Sequence, residues 1–339
     1  MATADEGPLR LLSLDGGGVR GLSSLIILKH LMQTVDADSP PKPCDYFDLI
    51  GGTSTGGLIA IMLGRLKMDI DTCIDKYLRL SGEVFQPKRR RLDLFGRGGD
   101  ALKLRGRFSS KKLEEKIQEI VKEQEEDADA LLKVEKSPKC KVFVCATRAD
   151  TGIHTVLLRS YASRQVAEVD CTIWEAARAT SAASGFFDPI KIGKFGEQFL
   201  DGATGANNPI EKVLEEARAI WPDLTERLQC IVSIGTGQPS LLPFGSNLKQ
   251  VATTLINIAT ETENTAKNFQ INHVPSLGSP SHKKYFRFNV AKGLEEVGLE
   301  EHERKAQIAA TTKVYLETPE TGTDIQTCAA LLKGGTPGQ

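Results

Sequence analysis

Two glycine-rich turns, each directly after a run of apolar residues, constrain this chain more than any other feature of its sequence. The first is LLSLDGGGVRGLSSL, Leu11–Leu25, and the second is YFDLIGGTSTGGLIAIML, Tyr46–Leu63. In both segments a run typical of a buried strand stops at the glycines, and apolar residues at helical spacing follow. Two successive strand–turn–helix units favour a parallel sheet in which both turns lie at the carboxyl ends of neighbouring strands.

Strands and helices continue to alternate along the chain, which predicts an α/β fold with a largely parallel central sheet and helices on both faces. The expected strands are Leu9–Leu14, Tyr46–Ile50, Lys139–Arg148, His154–Tyr161, Glu197–Ala203 and Gln229–Gly237. The expected helices are Val19–Val35, Ser54–Leu66, Asp71–Leu80, Lys111–Glu126, Thr172–Ala183, Asn247–Ile271 and Glu300–Leu316.

The 339 residues, of which 40% are hydrophobic, are enough for a substantial core. In the absence of a repeat or a clear linker we expect one domain over 1–330, with the motifs within 9–237, a helical part over 247–330 and a flexible tail over 331–339. A net charge of −1 gives no general attraction to nucleic acid. The seven cysteines form no CxxC pair, and the first residues lack the apolar core of a signal peptide, so we expect a cytoplasmic protein.

The second turn contains Gly52-Thr53-Ser54-Thr55-Gly56, a match to GxSxG. In hydrolases the serine of this motif lies on a sharp strand-to-helix turn that exposes its hydroxyl, and the two glycines leave room for the turn. The positive end of the following helix favours negative charge nearby. The same residues are also compatible with a glycine-rich turn in which Ser54 only caps the helix.

The first turn, Asp15–Gly21, has main-chain amides that either cradle a phosphate or stabilise a developing oxyanion. The sequence has no GxxxxGK[ST], and GxGxxG with an acidic residue about twenty positions on is also absent. Because acyl transfer needs both a nucleophile and amide donors beside it, the pairing of the two turns favours the oxyanion role. Arg20 steadies this loop, meets a substrate phosphate, or simply lies on the surface of the helix's first turn.

A serine is a weak nucleophile until another group removes its proton. The histidines of the chain are His30, His154, His273, His282 and His302, and none follows a strand that ends at glycine. Asp201, in QFLDGATGANNP, does end such a strand. A carboxylate there can accept the proton directly if a dry site raises its pKa, although Asp-Gly also forms ordinary turns.

Three motifs in chain order resemble the signature of the patatin-like phospholipases. They are DGGGxRG at Asp15–Gly21, GxSxG at Gly52–Gly56, and DG[AG] at Asp201-Gly202-Ala203. The segments ARATSAASGFFDP, 177–189, and IVSIGTG, 231–237, are also similar to the family, although Ser184 stands where a proline is expected. The resemblance covers roughly Leu9 to Gly237.

The resemblance implies a patatin-like three-layer sandwich and a phospholipase A type of lipid acyl hydrolase that works without calcium. It implies a dyad of Ser54 as nucleophile and Asp201 as base, with no histidine. It also implies an oxyanion hole formed by the amides of Gly16, Gly17 and Gly18, with Arg20 in support. Nothing in the sequence indicates a metal, a cofactor or a nucleic acid.

A lipid substrate implies contact with a membrane or micelle surface. Between Lys88 and Arg107 the chain carries eight basic and two acidic residues interleaved with apolar ones, and Arg89, Arg90 and Arg91 are consecutive. We predict that this stretch is a lid or a peripheral membrane contact, because basic residues are attracted to anionic lipid. The alternative is a solvated loop whose charge balances the acidic stretch Glu114–Asp129. The sequence does not indicate an oligomeric state.

Two other functions are compatible with parts of the pattern. An ordinary α/β-hydrolase would combine Ser54 and Asp201 with His273, His282 or His302, but the elbow then comes after unusually few strands. A binding or signalling module that retained the scaffold without catalysis is the other alternative.

Overall fold

The computed structural model describes residues 7–86, 108–125, 127–149, 154–163, 169–238, 249–277 and 283–334. The basic triplet Arg89–Arg91 and His282 lie outside these ranges, so the prediction of a lid or membrane contact there stays a prediction.

Eight strands of the described residues form a single mixed sheet. They are β1 Leu9–Leu14, β2 Leu49–Thr53, β3 Lys141–Arg148, β4 His154–Arg159, β5 Ile190–Ile192, β6 Glu197–Asp201, β7 Leu228–Ile234 and β8 Tyr285–Phe288. The pairs β1–β2, β2–β3, β1–β7 and β7–β8 are parallel. β4 and β6 each pair antiparallel with β3, and β5 pairs antiparallel with β6. The predicted α/β fold with a largely parallel sheet is confirmed.

Helices cover both faces of this sheet, as predicted. They are α1 Gly21–Val35, α2 Pro43–Tyr46, α3 Thr55–Ala60, α4 Ile70–Val84, α5 Ser110–Glu125, α6 Ile173–Thr180, α7 Ala203–Ala206, α8 Ile210–Ile220, α9 Leu224–Arg227, α10 Lys249–Asn272, α11 Lys305–Leu316 and α12 Pro319–Leu332. Because successive strand residues point to opposite faces, Leu12 packs in one buried cluster with α1 and α4, and Leu11 packs in another with α8. None of the helices within the described ranges combines the length and apolar composition needed to cross a bilayer.

β2 differs most from its prediction, because it begins at Leu49 rather than Tyr46. Pro43 occupies the first turn of the short helix α2, where its fixed φ suits a helix and its missing N–H costs nothing. The strand instead continues through Gly51, where a Cβ atom would lie 2.3 Å from the Phe143 ring. Glycine is therefore required inside this strand, although it usually indicates the end of one.

Seven elements have no counterpart among the predicted strands and helices: β5, β8, α2, α7, α8, α9 and α12. The two strands have only three and four residues, too few to show an alternating pattern. α12 extends into the predicted tail, and its residues Leu331 and Leu332 are buried in the main core.

The edges of β3 explain how two distant segments of the chain meet. β4 pairs with one edge of β3, so β2 and β6 share the other edge. On that edge Thr53 of β2 lies opposite Cys145, and Asp201 of β6 lies opposite the next residue, Ala146. β2 and β6 therefore meet end to end, and the residue after Thr53 is Ser54.

Candidate active site

Ser54 lies at the turn between β2 and α3 with φ 53° and ψ −124°, a region of backbone space that residues other than glycine rarely adopt. Gly52 and Gly56 make the turn possible. A Cβ atom at Gly52 would lie 2.2 Å from the carbonyl oxygen of Gly56, and one at Gly56 would lie 2.2 Å from that of Leu14. The GxSxG spacing is thus a steric requirement of the turn.

The Ser54 hydroxyl contacts Asp201 directly. Ser54 Oγ donates to Asp201 Oδ2 at 2.6 Å, and the amide of Ala203, the first residue after Gly202, donates to Asp201 Oδ1 at 2.8 Å. Asp201 is only 3% exposed. Burial raises the pKa of Asp201 to about 7, and the two hydrogen bonds, from Ser54 and then Ala203, oppose that rise.

The geometry leaves no imidazole between the two side chains. The histidines within the described ranges are His30, His154, His273 and His302. None of these four hydrogen-bonds to Ser54 or Asp201. His273 instead packs against the ring of Phe269, 5.2 Å between centroids.

Thr180 supports the elbow from α6, a role that the sequence analysis missed. Its Oγ1 accepts a hydrogen bond from the Ser54 amide at 2.9 Å and donates to the carbonyl oxygen of Cys145 at 2.7 Å. Thr180 is fully buried, so this pair of bonds fixes the elbow relative to β3. Thr180 lies within the segment 177–189 that resembles the family, and this resemblance is the sequence feature that could have indicated its role.

The two threonines of the elbow tie it to neighbouring turns. Thr53 Oγ1 donates to the carbonyl oxygen of Ala206 at 2.5 Å, which links the elbow to the short helix after Asp201. Thr55 Oγ1 donates to the carbonyl oxygen of Gly18 at 3.0 Å. The glycine turn, the elbow and the aspartate turn are therefore one hydrogen-bonded unit.

The amides of the glycine turn are not equivalent. The amide of Gly16 donates to the carbonyl oxygen of Asn207 at 3.0 Å. Among the described residues, the amides of Gly17 and Gly18 find no acceptor. Gly18 has φ +56°, which suits glycine, and it lines the same cavity as Ser54. Two amides of the turn, those of Gly17 and Gly18, therefore have no acceptor among the described residues, whereas the resemblance implied three oxyanion donors.

A cavity that is partly open to solvent lies next to Ser54. Its lining is mainly apolar and comes from α3, α4, α5 and the segment after α6. Among the lining side chains are Leu58, Leu80, Val84, Phe85, Phe186 and Phe187. Such a surface suits an extended hydrocarbon group.

Comparison with known families gives a match over the part of the chain that contains the three motifs. A family model described as patatin-like phospholipase matches residues 12–214, which is more than half of the chain. The chain belongs to the patatin-like phospholipase family. The resemblance inferred from the three motifs is thereby confirmed.

Relatives of this patatin-like chain include human calcium-independent phospholipase A2-gamma, 30% identical over 329 residues and 92% of the chain. Phospholipase A I of Arabidopsis thaliana is 30% identical over 277 residues, or 68% of the chain. The cGAMP-activated phospholipase of Vibrio cholerae is 28% identical over 238 residues, or 67% of the chain. The chain spans 38%, 21% and 64% of the lengths of these three proteins, respectively.

Beyond the patatin-like match, a buried ion-pair network holds the start of the glycine turn. Arg287 of β8 donates through Nη2 to Asp15 Oδ2 at 2.7 Å and to Glu263 Oε1 at 2.9 Å, and through Nη1 to Ser233 Oγ at 3.0 Å. Asp15 is buried, which raises its pKa to about 6, while the charge and hydrogen bond of Arg287 oppose the rise. Neither Arg287 nor Glu263 carries a sequence signal, because both lie far from the motifs.

Arg20, near the end of the glycine turn, is also buried, with 6% of its surface exposed. Its Nε has no hydrogen-bond partner among the described residues, and burial lowers its pKa to about 10. The guanidinium is therefore still charged at neutral pH.

We predict that Arg287→Met lowers the free energy of unfolding at pH 8 by about 3–5 kcal/mol, because it leaves the Asp15 carboxylate buried without its cation. Urea unfolding measures this loss. At pH 5 the loss should be smaller, because Asp15, whose pKa is about 6, is then largely neutral.

The matched control is Lys283→Met, which removes an exposed ion pair to Asp324 of 2.6 Å and should cost at most about 1 kcal/mol. Equal losses for Arg287→Met at the two pH values would show that the Asp15 ion pair does not stabilise the glycine turn.

Proposed function

We propose that this chain is a lipid acyl hydrolase of the phospholipase A type that cleaves fatty acyl esters through Ser54 and Asp201. The observation that carries the proposal is the 2.6 Å hydrogen bond from Ser54 Oγ to a buried carboxylate, at the edge of an apolar cavity. Family membership and the names of the relatives support the same reaction class.

In the acylation step Ser54 Oγ attacks the ester carbonyl carbon while Asp201 Oδ2 takes the hydroxyl proton. The raised pKa of Asp201 matters here, because a carboxylate with a pKa near 7 is a stronger base than one with an ordinary pKa and is still half ionised at neutral pH. The hydrogen bond from Ala203 to Oδ1 keeps Oδ2 turned toward the serine.

The tetrahedral intermediate places a negative charge on the former carbonyl oxygen. The unpaired amides of Gly17 and Gly18 are the donors that we assign to it, and one such donor typically contributes about 3 kcal/mol to the stability of the transition state. Arg20, which is buried and positively charged near the end of the same turn, is assigned a supporting role. The Gly16 amide supports the turn instead, through its bond to Asn207.

Collapse of the intermediate expels the alcohol, a lysolipid when the substrate is a diacyl phospholipid, and protonated Asp201 supplies its proton. The fatty acyl group remains esterified to Ser54. Asp201 then removes a proton from a water molecule whose oxygen attacks the acyl carbon, and it returns this proton to Ser54 Oγ as the bond between Oγ and the acyl carbon breaks and the fatty acid leaves. The two half-reactions use the same two side chains, so no histidine is needed.

The fatty acyl chain is assigned to the cavity lined by α4, α5 and the segment after α6, where apolar side chains such as Phe187 replace water around it. The relatives named calcium-independent support hydrolysis without calcium here as well. We also assign the lipid to a membrane or micelle surface and the motifs to one patatin-like domain over 1–330. The seven cysteines are buried and unpaired, which supports a reducing compartment such as the cytoplasm.

The test is a mass-spectrometric screen of mixed lipids incubated with the wild type or with Ser54→Ala. We expect the wild type, but not the variant, to release free fatty acids together with lysolipids. A fluorophosphonate probe should label the wild type at Ser54, because such probes need an activated serine. A chain that neither labels nor releases fatty acid would be the non-catalytic scaffold instead.

A further inference from the structure

The turn that joins β5 to β6 carries the most exposed large apolar side chain of the described residues. Phe195 is 89% exposed and lies in a four-residue turn, Gly193–Gly196, closed by a hydrogen bond from the Gly196 amide to the Gly193 carbonyl oxygen at 3.1 Å. Gly193 and Gly196 have φ +79° and +68°, values that glycine adopts without strain. The hairpin, residues 190–197, therefore presents a phenyl ring at its tip.

The base of this hairpin is anchored in the protein. Ile190 and Ile192 are buried in the main core, and Phe199 of β6 is fully buried. Glu197 at the start of β6 is paired with Arg148 at 3.3 Å. The hairpin thus presents an exposed phenyl ring on a base that is packed into the core.

The hairpin and Ser54 both lie at the carboxyl ends of the parallel strands. β6 runs antiparallel to β3 and ends at Asp201, so its start lies beyond the carboxyl end of the parallel strands. Four residues at roughly 3.3 Å each place Glu197 about 13 Å above Asp201, and the turn follows beyond it. Phe195 thus projects on the side from which a substrate reaches the parallel-strand ends.

The charge around the tip is positive. Lys191 and Lys194 flank Phe195 and are exposed, and neither forms an ion pair with a described residue. The nearby Glu197 already has its own cation in Arg148. A phenyl ring between two free ammonium groups is complementary to the headgroup region of an anionic lipid layer, which combines phosphate oxygens with an apolar interior.

We propose that the 190–197 hairpin docks this chain on anionic lipid surfaces, with Phe195 inserted among the acyl chains and with Lys191 and Lys194 on the headgroup phosphates. The inference rests on the proposed function, since it names the surface from which the Ser54 site draws its lipid. Docking there directs the carboxyl edge of the sheet toward the membrane. A lipid then reaches Ser54 without crossing bulk water.

The test measures partition onto vesicles of equal parts phosphatidylcholine and phosphatidylserine, with every variant made in the Ser54→Ala background. Phe195→Ser should lower the partition coefficient about tenfold, because one phenyl ring no longer leaves water. Lys191→Gln and Lys194→Gln should each lower it about fivefold. Neither lysine variant should matter on pure phosphatidylcholine. In Phe195→Trp, brominated acyl chains should quench additional fluorescence relative to the parent.

The matched control is Ile271→Ser, which removes another exposed apolar side chain, 70% exposed, at the end of α10. That end packs through Phe269 against Tyr285 at the start of β8, and so lies at the amino ends of the parallel strands, away from the hairpin; binding should therefore be unchanged. Wild-type partition by Phe195→Ser, or an unquenched Phe195→Trp, would overturn the hairpin assignment. Failure of the wild type to release fatty acid would instead refute the proposed function, because vesicle binding does not depend on hydrolysis.

Discussion

Replacing Ser54 by alanine is expected to lower kcat for ester hydrolysis about a million-fold, the effect typical of removing a nucleophile that works with its base as a unit. Among the described residues, the Ser54 hydroxyl is the one that Asp201 Oδ2 accepts from, so no other hydroxyl is positioned to replace it. The fold should be intact, since the Ser54 hydroxyl donates only to Asp201. Steady-state kinetics on a chromogenic short-chain ester, with circular dichroism as a check on folding, measures both results.

Ser54→Gly provides the matched comparison. It should be as inactive as Ser54→Ala but more stable by about 1 kcal/mol, because glycine adopts φ 53° without the strain that a Cβ atom imposes. Activity within tenfold of the wild type in either variant would mean that another group is the nucleophile. Equal stability of the two variants would mean that the elbow is not strained.

The second large effect is expected for Asp201→Asn, which should lower kcat about ten-thousand-fold. Asparagine keeps the size and the hydrogen-bonding oxygen of the side chain, but it cannot take the proton of Ser54. Replacement of His273, His282 or His302 by alanine is the control. These variants should retain activity if the aspartate acts alone, whereas loss in one of them would indicate a histidine-containing triad.

The pH dependence follows from the pKa of Asp201, which burial raises to about 7. The base must be ionised, so kcat/KM of the wild type should rise with pH and level off above about 7. Below about pH 6 it should fall close to tenfold per pH unit. A flat profile between pH 5 and 8 would contradict the assignment of Asp201 as base.

The raised pKa of Asp201 also lowers the stability of the folded protein at high pH. Because the folded-state pKa of Asp201 exceeds its ordinary value of 3.8, the folded protein holds this proton more tightly than the unfolded chain. Its contribution to stability is therefore present at low pH and lost as the pH rises from about 4 through 7. The amide introduced by Asp201→Asn does not titrate, so we expect this variant to unfold at a higher urea concentration than the wild type at pH 8.

The gain of Asp201→Asn over the wild type should be on the order of 3–4 kcal/mol at pH 8 and smaller at pH 5.5. Asp15 titrates in the same range but is present in both proteins, so its effect cancels in the difference. A gain that does not change with pH would show that the Asp201 carboxylate is not destabilised by burial.

The catalytic candidates could be predicted because each is marked locally. Gly52 and Gly56 surround Ser54 for a steric reason that any sequence with this turn must meet, and Asp201 ends a strand at a glycine. The helices with a clear apolar stripe, such as α4 and α5, were found within a few residues of their observed ends. Local geometry and local sequence agree at these positions.

The supporting contacts could not be predicted, because they depend on pairings between distant segments. Nothing around Arg287 indicates that it reaches Asp15, 272 positions earlier. Likewise, the short strand β5 shows no periodicity, and its antiparallel pairing with β6 becomes visible only in the sheet. The projection of the Phe195 turn from the sheet therefore could not be predicted, although the glycines of this turn are present in the sequence.

The end-to-end contact of β2 and β6 along β3 determines when the proposed site can form during folding. Ser54 and Asp201 are 147 positions apart in the sequence, and they come into contact because β2 and β6 both pair with the same edge of β3. Contacts between segments so far apart in the sequence are associated with slow folding. The proposed dyad is therefore complete only when β2 and β6 have both paired with β3.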